Sequence, residues 1–170
     1  MLSRMQSYVL STLQAHARAM GPEEFRQRFP KAWLLWEPGE WKPPRDATEP
    51  ALQALLTPGT AGEPLAFAVE PKPGAPAGEI DLGRGAECQL RVFDGTLSSR
   101  HLALREEEAG WRVKDVGSKN GSWLEGNKLL AQQWVPLASG ARLIAGRVLL
   151  TFYLLPELLD RLASVSGAGG

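Results

Sequence analysis

The sequence predicts an all-β fold, a two-sheet β-sandwich with a helical extension on its N-terminal side and a short helix on its C-terminal side. Three observations carry that expectation. From Leu65 onward, short apolar segments alternate and are interrupted by turn residues roughly every eight to twelve positions, with no repeating βα unit. Before that point the apolar spacing is helical, with Met5, Val9, Leu13, Ala17 and Met20 three or four apart. After Pro156, Leu158, Leu159 and Leu162 are spaced to pack one helical face back on the protein.

The N-terminal elements follow in order. Gly21-Pro22 stops the first helix, and Pro22 suits the first turn of a second because its missing donor would be unpaired there anyway. Glu23 and Glu24 then lie near the positive end of that helix, Phe25 and Phe29 share a face, and Pro30 ends it. Residues 32 to 36 are densely apolar, and Trp33, Trp36 and Trp41 lie close together. They form either a docking surface for another protein or a pad by which the extension covers an end or edge of the following domain. The pad is favoured because a small helix pair cannot bury enough surface alone. Residues 37 to 40 and 43 to 46 read as loop, 49 to 56 as a further short helical segment, and 71 to 78, with three prolines, as a surface loop between strands. The expected organisation is a Trp-rich helical extension over residues 1–60, the β domain over 61–155, and a short helix with a flexible tail over 156–170, disordered from Ser166.

The strands are read from alternation. Leu65, Phe67 and Val69 form one, Ile80 and Leu82 another running into Gly83, and residues 89 to 93 a third. Leu102 and Leu104 oppose Ala103 and Arg105, while Trp111, Val113 and Asp115 oppose Arg112 and Lys114, so this hairpin has one apolar and one charged face. Residues 123–124 and 128–130 flank a turn at Glu125-Gly126-Asn127. Residues 133–137 and 143–144 follow, and Val148 to Leu155 is almost wholly apolar, as a central strand covered on both faces would be.

Composition excludes several classes. Nineteen basic and nineteen acidic side chains give a formal charge of zero, which argues against a broad nucleic-acid surface but not against a small anion pocket. Cys88 is the single cysteine, so no intrachain disulfide or cysteine-rich metal site is expected. There is no signal-peptide pattern and no long apolar stretch, so a cytoplasmic protein without membrane attachment is expected. Neither a Gly-Lys-Ser/Thr phosphate loop nor a metal-spaced carboxylate cluster is present, and no nucleophile and base pair is evident. No enzyme activity, catalytic residue, metal or cofactor is expected.

Three turn-rich clusters stand out where short apolar segments stop, over residues 80–85, 96–101 and 115–123, with Gly83-Arg84, Ser98-Ser99-Arg100-His101, and Gly117-Ser118-Lys119-Asn120-Gly121-Ser122 at their centres. They supply a guanidinium, an ammonium, hydroxyls, an amide and flexible backbone, the groups that best hold a phosphate with its strong acceptor oxygens. Taken alone, Arg84 is either a solvated loop arginine or a phosphate clamp, and the serines are either turn caps or ligands.

The order and separation of these clusters resemble the forkhead-associated (FHA) phosphothreonine-binding domains, whose signature is Gly-Arg, then Ser-x-x-His, then Asn-Gly. The resemblance covers about residues 62–154. It implies that Arg84 clamps the phosphate, Ser98 contacts it through its hydroxyl, and Ser99 touches the peptide backbone. Lys119 falls where the family has a threonine or basic residue against the phosphate, and Asn120 where a side chain bonds the peptide main chain. Gly83, His101, Gly121 and Ser122 would support the site, with His101 bonding internally to shape the serine loop. Ser122 replaces the usual threonine, and Glu125-Gly126-Asn127 replaces a second Asn-Gly. His16 is read as a surface or packing residue.

The implied function is phosphothreonine-dependent protein binding, with a phosphorylated kinase or kinase substrate as partner and no nucleic acid. The alternative is a phosphate-independent interaction domain that uses the Trp-rich extension or a sheet face. Ala, Gly, Leu and Arg usage leans toward a bacterial source.

Overall fold

The structure, a computed structural model, describes residues 7–38, 63–70 and 78–168, with side chains through residue 163. Trp41, Met5 and the helical segment expected over 49–56 lie outside the described residues, as does most of the loop expected over 71–78. Two helices and twelve strands are formed among the described residues. The strands are β1 (Ser7–Val9), β2 (Ala32–Glu37), β3 (Leu65–Ala68), β4 (Ile80–Gly83), β5 (Leu90–Arg91), β6 (Leu102–Glu107), β7 (Gly110–Asp115), β8 (Ser122–Leu124), β9 (Asn127–Lys128), β10 (Val135–Leu137), β11 (Arg142–Ala145) and β12 (Val148–Leu154). Helices α1 (Leu10–Arg28) and α2 (Leu155–Ala168) complete the fold.

The strands make a seven-stranded sheet in the order β1-β3-β2-β12-β11-β8-β9 and a five-stranded sheet in the order β10-β7-β6-β4-β5. All pairings are antiparallel except β4 with β5. Alternation explains the layers. Leu102, Leu104, Trp111 and Val113 from one sheet meet Leu143, Ala145, Val148, Leu150 and Phe152 from the other in a continuous core, whereas Ala103, Arg105, Arg112 and Lys114 face outward as the sequence expects.

The extension differs from the sequence reading in two respects. Residues 32–37, expected as an apolar pad within a helical extension, are a strand: β2 pairs with β12 along six residues, from Ala32 opposite Leu154 to Glu37 opposite Leu149, and its other edge pairs with β3. Period-two alternation places Leu34 in the core between the sheets and Trp33 and Leu35 in a second cluster on the outer face. A strand buried on both faces shows no polar alternation, so its sequence is a plain apolar run. The first helix also begins later than Met5 suggests, because Ser7–Val9 is drawn into an edge pairing with β3. Its expected break does occur, at Gly21 with φ of 81° and ψ of 164°.

The second cluster is what the helices cover. Leu10, Leu13 and Phe25 of α1 and Leu155, Leu158 and Leu162 of α2 bury Trp33, Leu35, Ala66 and Ala68. Phe25 and Phe29 stack at 4.4 Å, and His16 contributes only ring contacts to Tyr8 and Phe29. Arg161 of α2 donates to both carboxylate oxygens of Glu37, at 2.9 and 2.8 Å, and to the Tyr153 hydroxyl, while Thr151 donates to Glu37 at 2.6 Å. This network fastens α2 to β2 and β12. Helix α2 continues through Ala168, past the point at Ser166 where the sequence suggests disorder.

Trp33 is fully buried and its indole N–H donates to the Pro30 carbonyl at 2.8 Å. Trp33→Ala is therefore expected to lower unfolding free energy by about 3–5 kcal/mol through lost burial and a residual cavity, measured by urea denaturation. A loss below about 1 kcal/mol, the size of an ordinary surface substitution or less, would show that β2 is not a core strand.

Candidate functional site

Register brings the three motif clusters to one end of the sandwich. Leu82 near the end of β4 lies opposite Leu102 at the start of β6, which in turn lies opposite Asp115 at the end of β7. In the other sheet, Ser122 at the start of β8 lies opposite Ala145, and Ala145 opposite Val148. The loops after β4, before β6, after β7 and between β11 and β12 thus share an end.

Ser98 is the node among them. Its carbonyl accepts the Arg84 backbone N–H at 3.0 Å, its own N–H donates to His101 Nδ1 at 3.0 Å, and its Oγ accepts the Lys119 backbone N–H at 3.0 Å. The last bond uses an oxygen lone pair and leaves the Ser98 O–H free to donate outward. Ser99 is exposed, and its carbonyl accepts from Gly85 N–H and the Cys88 thiol. Gly83 is required by this approach: a Cβ there would stand 2.9 Å from the Ser98 carbonyl oxygen and closer still to that of Ser99.

His101 is fully buried and uses both ring nitrogens, Nδ1 as acceptor from Ser98 and Nε2 toward the Gly121 carbonyl at 2.9 Å. Those partners define a neutral ring with the proton on Nε2. Burial lowers its pKa from the ordinary histidine value, against smaller opposing effects of the Gly121 carbonyl and Asp115. The bond to Gly121 also joins the loop before β6 to the loop before β8, and so one sheet to the other.

The Lys119 loop is built around Asp115. Its Oδ1 accepts the N–H groups of Gly117 and Ser118 at 2.8 and 2.7 Å, and its Oδ2 accepts the hydroxyls of Ser118 and Ser122 at 2.5 and 2.6 Å. Burial alone would raise this carboxyl, but the four bonds outweigh it and the pKa lies below the ordinary value. Ser118 Oγ then accepts Gly121 N–H at 3.0 Å, closing the turn. What remains outside is Lys119 and Asn120, both exposed. Asn120 donates one amide hydrogen to the Thr96 carbonyl at 2.7 Å, which fixes its plane and leaves the amide oxygen and second N–H available.

All nine residues singled out by sequence therefore meet at this end. Arg84, Ser99, Lys119 and Asn120 are exposed, Ser98 half-buried, and His101 and Ser122 buried beneath them. Two supports lay within the turn-rich clusters but had no role assigned from sequence. Asp115 belonged to a strand alternation, although Asp-x-Gly-Ser is a side-chain-to-backbone turn signal. Thr96 is held by Asp94, whose Oδ1 accepts the Thr96 N–H at 2.8 Å and hydroxyl at 2.5 Å, a second turn of the same kind.

The end loops of this β-sandwich gather a guanidinium, an ammonium, hydroxyls and an amide on a buried hydrogen-bonded base, groups whose chemistry suits an anion. Residues 80–146 match the model of the FHA domain family, and the chain carries an FHA domain over that span. Among curated proteins, it is 28% identical over 106 residues to the FHA domain-containing protein FhaB of Mycolicibacterium smegmatis, covering 62% of this chain and 63% of that one. It is 32% identical over 62 residues to FhaB of Mycobacterium tuberculosis, covering 36% of this chain and 40% of that one. The chain thus spans less than two thirds of the length of either relative. Among solved structures, the FHA domain of an Arabidopsis thaliana hypothetical protein is 20% identical, with a TM-score of 0.47 over 74% of this chain and 86% of that one.

The buried neutral histidine makes stability depend on pH. Its folded pKa lies below the unfolded value of 6.5, so below that value the unfolded chain binds the proton more readily and stability falls as pH is lowered. The contribution is complete above 6.5 and is lost on descending toward the folded pKa. Unfolding midpoints in urea should fall from pH 7 to pH 5, and His101→Ala should start lower and lose that part of the slope. Equal slopes in the two proteins would place the titration elsewhere.

Proposed function

We propose that this chain is a non-enzymatic reader of phosphothreonine in partner proteins, a phosphorylated Ser/Thr kinase or one of its substrates. The observation that carries the reading is the convergence of Arg84, Ser98, Ser99, Lys119 and Asn120 on loops held from beneath by His101 and Asp115. Among the described residues, neither the Arg84 guanidinium nor the Lys119 ammonium takes part in an ion pair. Unneutralised donors on a rigid base suit a dianion. In this reading Arg84 supplies a planar fork, Lys119 a point charge, Ser98 its free O–H, Ser99 a contact to the peptide backbone, and Asn120 its remaining amide groups for the peptide main chain. The FHA match supports it, and neither metal nor cofactor enters.

The binding function is assigned to residues 61–155, with residues 1–60 and 156–170 serving stability. No described helix is long and apolar enough to cross a membrane. A cytoplasmic setting in a bacterium belongs to the same proposal, supported by composition and by the mycobacterial relatives. The phosphate-independent alternative is weakened by Trp33, which is fully buried and offers no surface to a partner.

Titration with matched phosphothreonine, phosphoserine and unphosphorylated peptides, chosen from an oriented library, tests the reading. A charged hydrogen bond contributes about 1.5–3 kcal/mol, so Arg84→Ala is expected to weaken phosphopeptide binding roughly tenfold to a hundredfold, and Ser98→Ala somewhat less. Phosphothreonine should exceed phosphoserine by about 1 kcal/mol, near the value of one buried methyl group. Equal affinity for phosphorylated and unphosphorylated peptides would defeat the reader hypothesis.

A further inference from the structure

A fourth loop reaches the same end, and neither the sequence motifs nor the family resemblance assigns it a role. The turn between β11 and β12 consists of Gly146 and Arg147, and it is pinned to the site from two sides. The Gly146 N–H donates to the Gly121 carbonyl at 3.0 Å, and the Arg147 N–H donates to Thr96 Oγ1 at 3.0 Å. Gly146 has φ of +58°, and a Cβ there would stand 2.7 Å from both the carbonyl oxygen and the hydroxyl of Thr96, so the turn is seated as closely as backbone allows. Thr96 is the residue whose carbonyl also receives the Asn120 amide. Arg147 and Asn120 are therefore fixed to the same threonine.

Arg147 is exposed, and among the described residues no carboxylate pairs with it. Asp94, which holds the Thr96 turn, directs its Oδ1 to the N–H and hydroxyl of Thr96. Arg91 of β5 is engaged differently, donating to the Arg84 carbonyl at 3.1 Å and lying over the Phe93 ring. A guanidinium carried on a turn fixed to the same threonine as the Asn120 amide, with no carboxylate partner among the described residues, has the chemistry to receive a carboxylate from a peptide held there.

We propose that Arg147 is a specificity-determining residue of this site, selecting ligands with an aspartate or glutamate beside the phosphothreonine on the segment that runs past Asn120. The inference rests on the phosphothreonine-reader reading and names the ligand class within it: acidic-flanked phosphothreonine segments. Because the guanidinium is exposed, the discrimination is modest and salt-sensitive, about two- to fivefold in affinity for acidic over neutral.

The test uses the full chain and a peptide library with fixed phosphothreonine and randomised flanks, followed by titration of the selected peptide and twins carrying alanine or lysine in place of the acidic residue. The wild type should select Asp or Glu at one flanking position and prefer the acidic peptide over its alanine twin by about two- to fivefold at low salt. Arg147→Lys should keep the sign of that preference, Arg147→Gln should abolish it, and Arg147→Glu should invert it toward lysine. Absence of acidic selection by the wild type, or an unchanged acidic-to-alanine ratio in Arg147→Gln, overturns the proposal while phosphate dependence stands. If the wild type binds the selected peptide and its unphosphorylated twin equally, the reader reading fails and this inference with it.

Discussion

The end of the sandwich depends on one buried ring. His101 accepts a hydrogen bond from Ser98 and directs its other nitrogen to the Gly121 carbonyl, so a neutral imidazole ties two loops together from beneath, where the Lys119–Ser98 and Asn120–Thr96 bonds join them at the surface. Both partners are themselves shared: Ser98 also receives Arg84 and Lys119 N–H groups, and Gly121 O also receives Gly146 N–H. A change in the ring's position would therefore be felt in the Arg84, Lys119 and Gly146 loops together. Burial costs the ring its charged form, and that loss is useful, since a protonated Nδ1 could not accept from Ser98.

The seven-stranded sheet gives those loops their footing. Strand β2 lies between β3 and β12, and its outer face carries Trp33 and Leu35 into a second apolar layer shared by both helices. The strand that leads out of the Arg147 turn is thus bonded along both edges and packed on both faces. Without β2, β12 would become the edge of what remains attached to β11, and its outward side chains would lose their cover. Order in residues 7–38 and rigidity of the loop-bearing end are therefore coupled through β12, although none of those residues belongs to the site.

Much of this was legible in the chain, and the parts that were not share a cause. Alternation exposed the β6–β7 hairpin and its charged face, the solid apolar run of β12 announced a strand covered twice, and Gly21-Pro22 marked the break in α1. The run Ala-Trp-Leu-Leu-Trp misled because a doubly buried strand lacks the polar alternation that would distinguish it from a packed helix. Residues 89–93 were expected as one strand, but only Leu90 and Arg91 pair; Phe93 is 71% exposed, so its apolar character did not signal burial. The site motifs were readable through their order and separation, since singly their Gly, Ser and Asn residues are ordinary at strand ends. Asp115 and Arg147 were not, since one depends on which donors surround a carboxylate and the other on which end of the sandwich a hairpin turn reaches.

The electrostatics explain why such a base is needed. The chain has no net charge, and exposed ion pairs in water contribute about 0–1 kcal/mol each because solvent screens them and long side chains must be ordered. Two or three free cations alone would therefore hold a phosphate weakly and without regard to the chain that carries it. The structure instead fixes the backbone beneath each donor before any ligand arrives. Asp115 satisfies four donors within its own turn, Asp94 and Thr96 orient the Asn120 amide, and Ser98 is held by three bonds while keeping its O–H. The entropic cost of arranging a guanidinium, an ammonium, a hydroxyl and an amide around one ligand is thereby reduced to ordering the two long side chains. In the proposed reader role, affinity would depend on simultaneous contact with the phosphate and the main chain beside it, so a free phosphate ion would gain only part of what a phosphorylated segment gains.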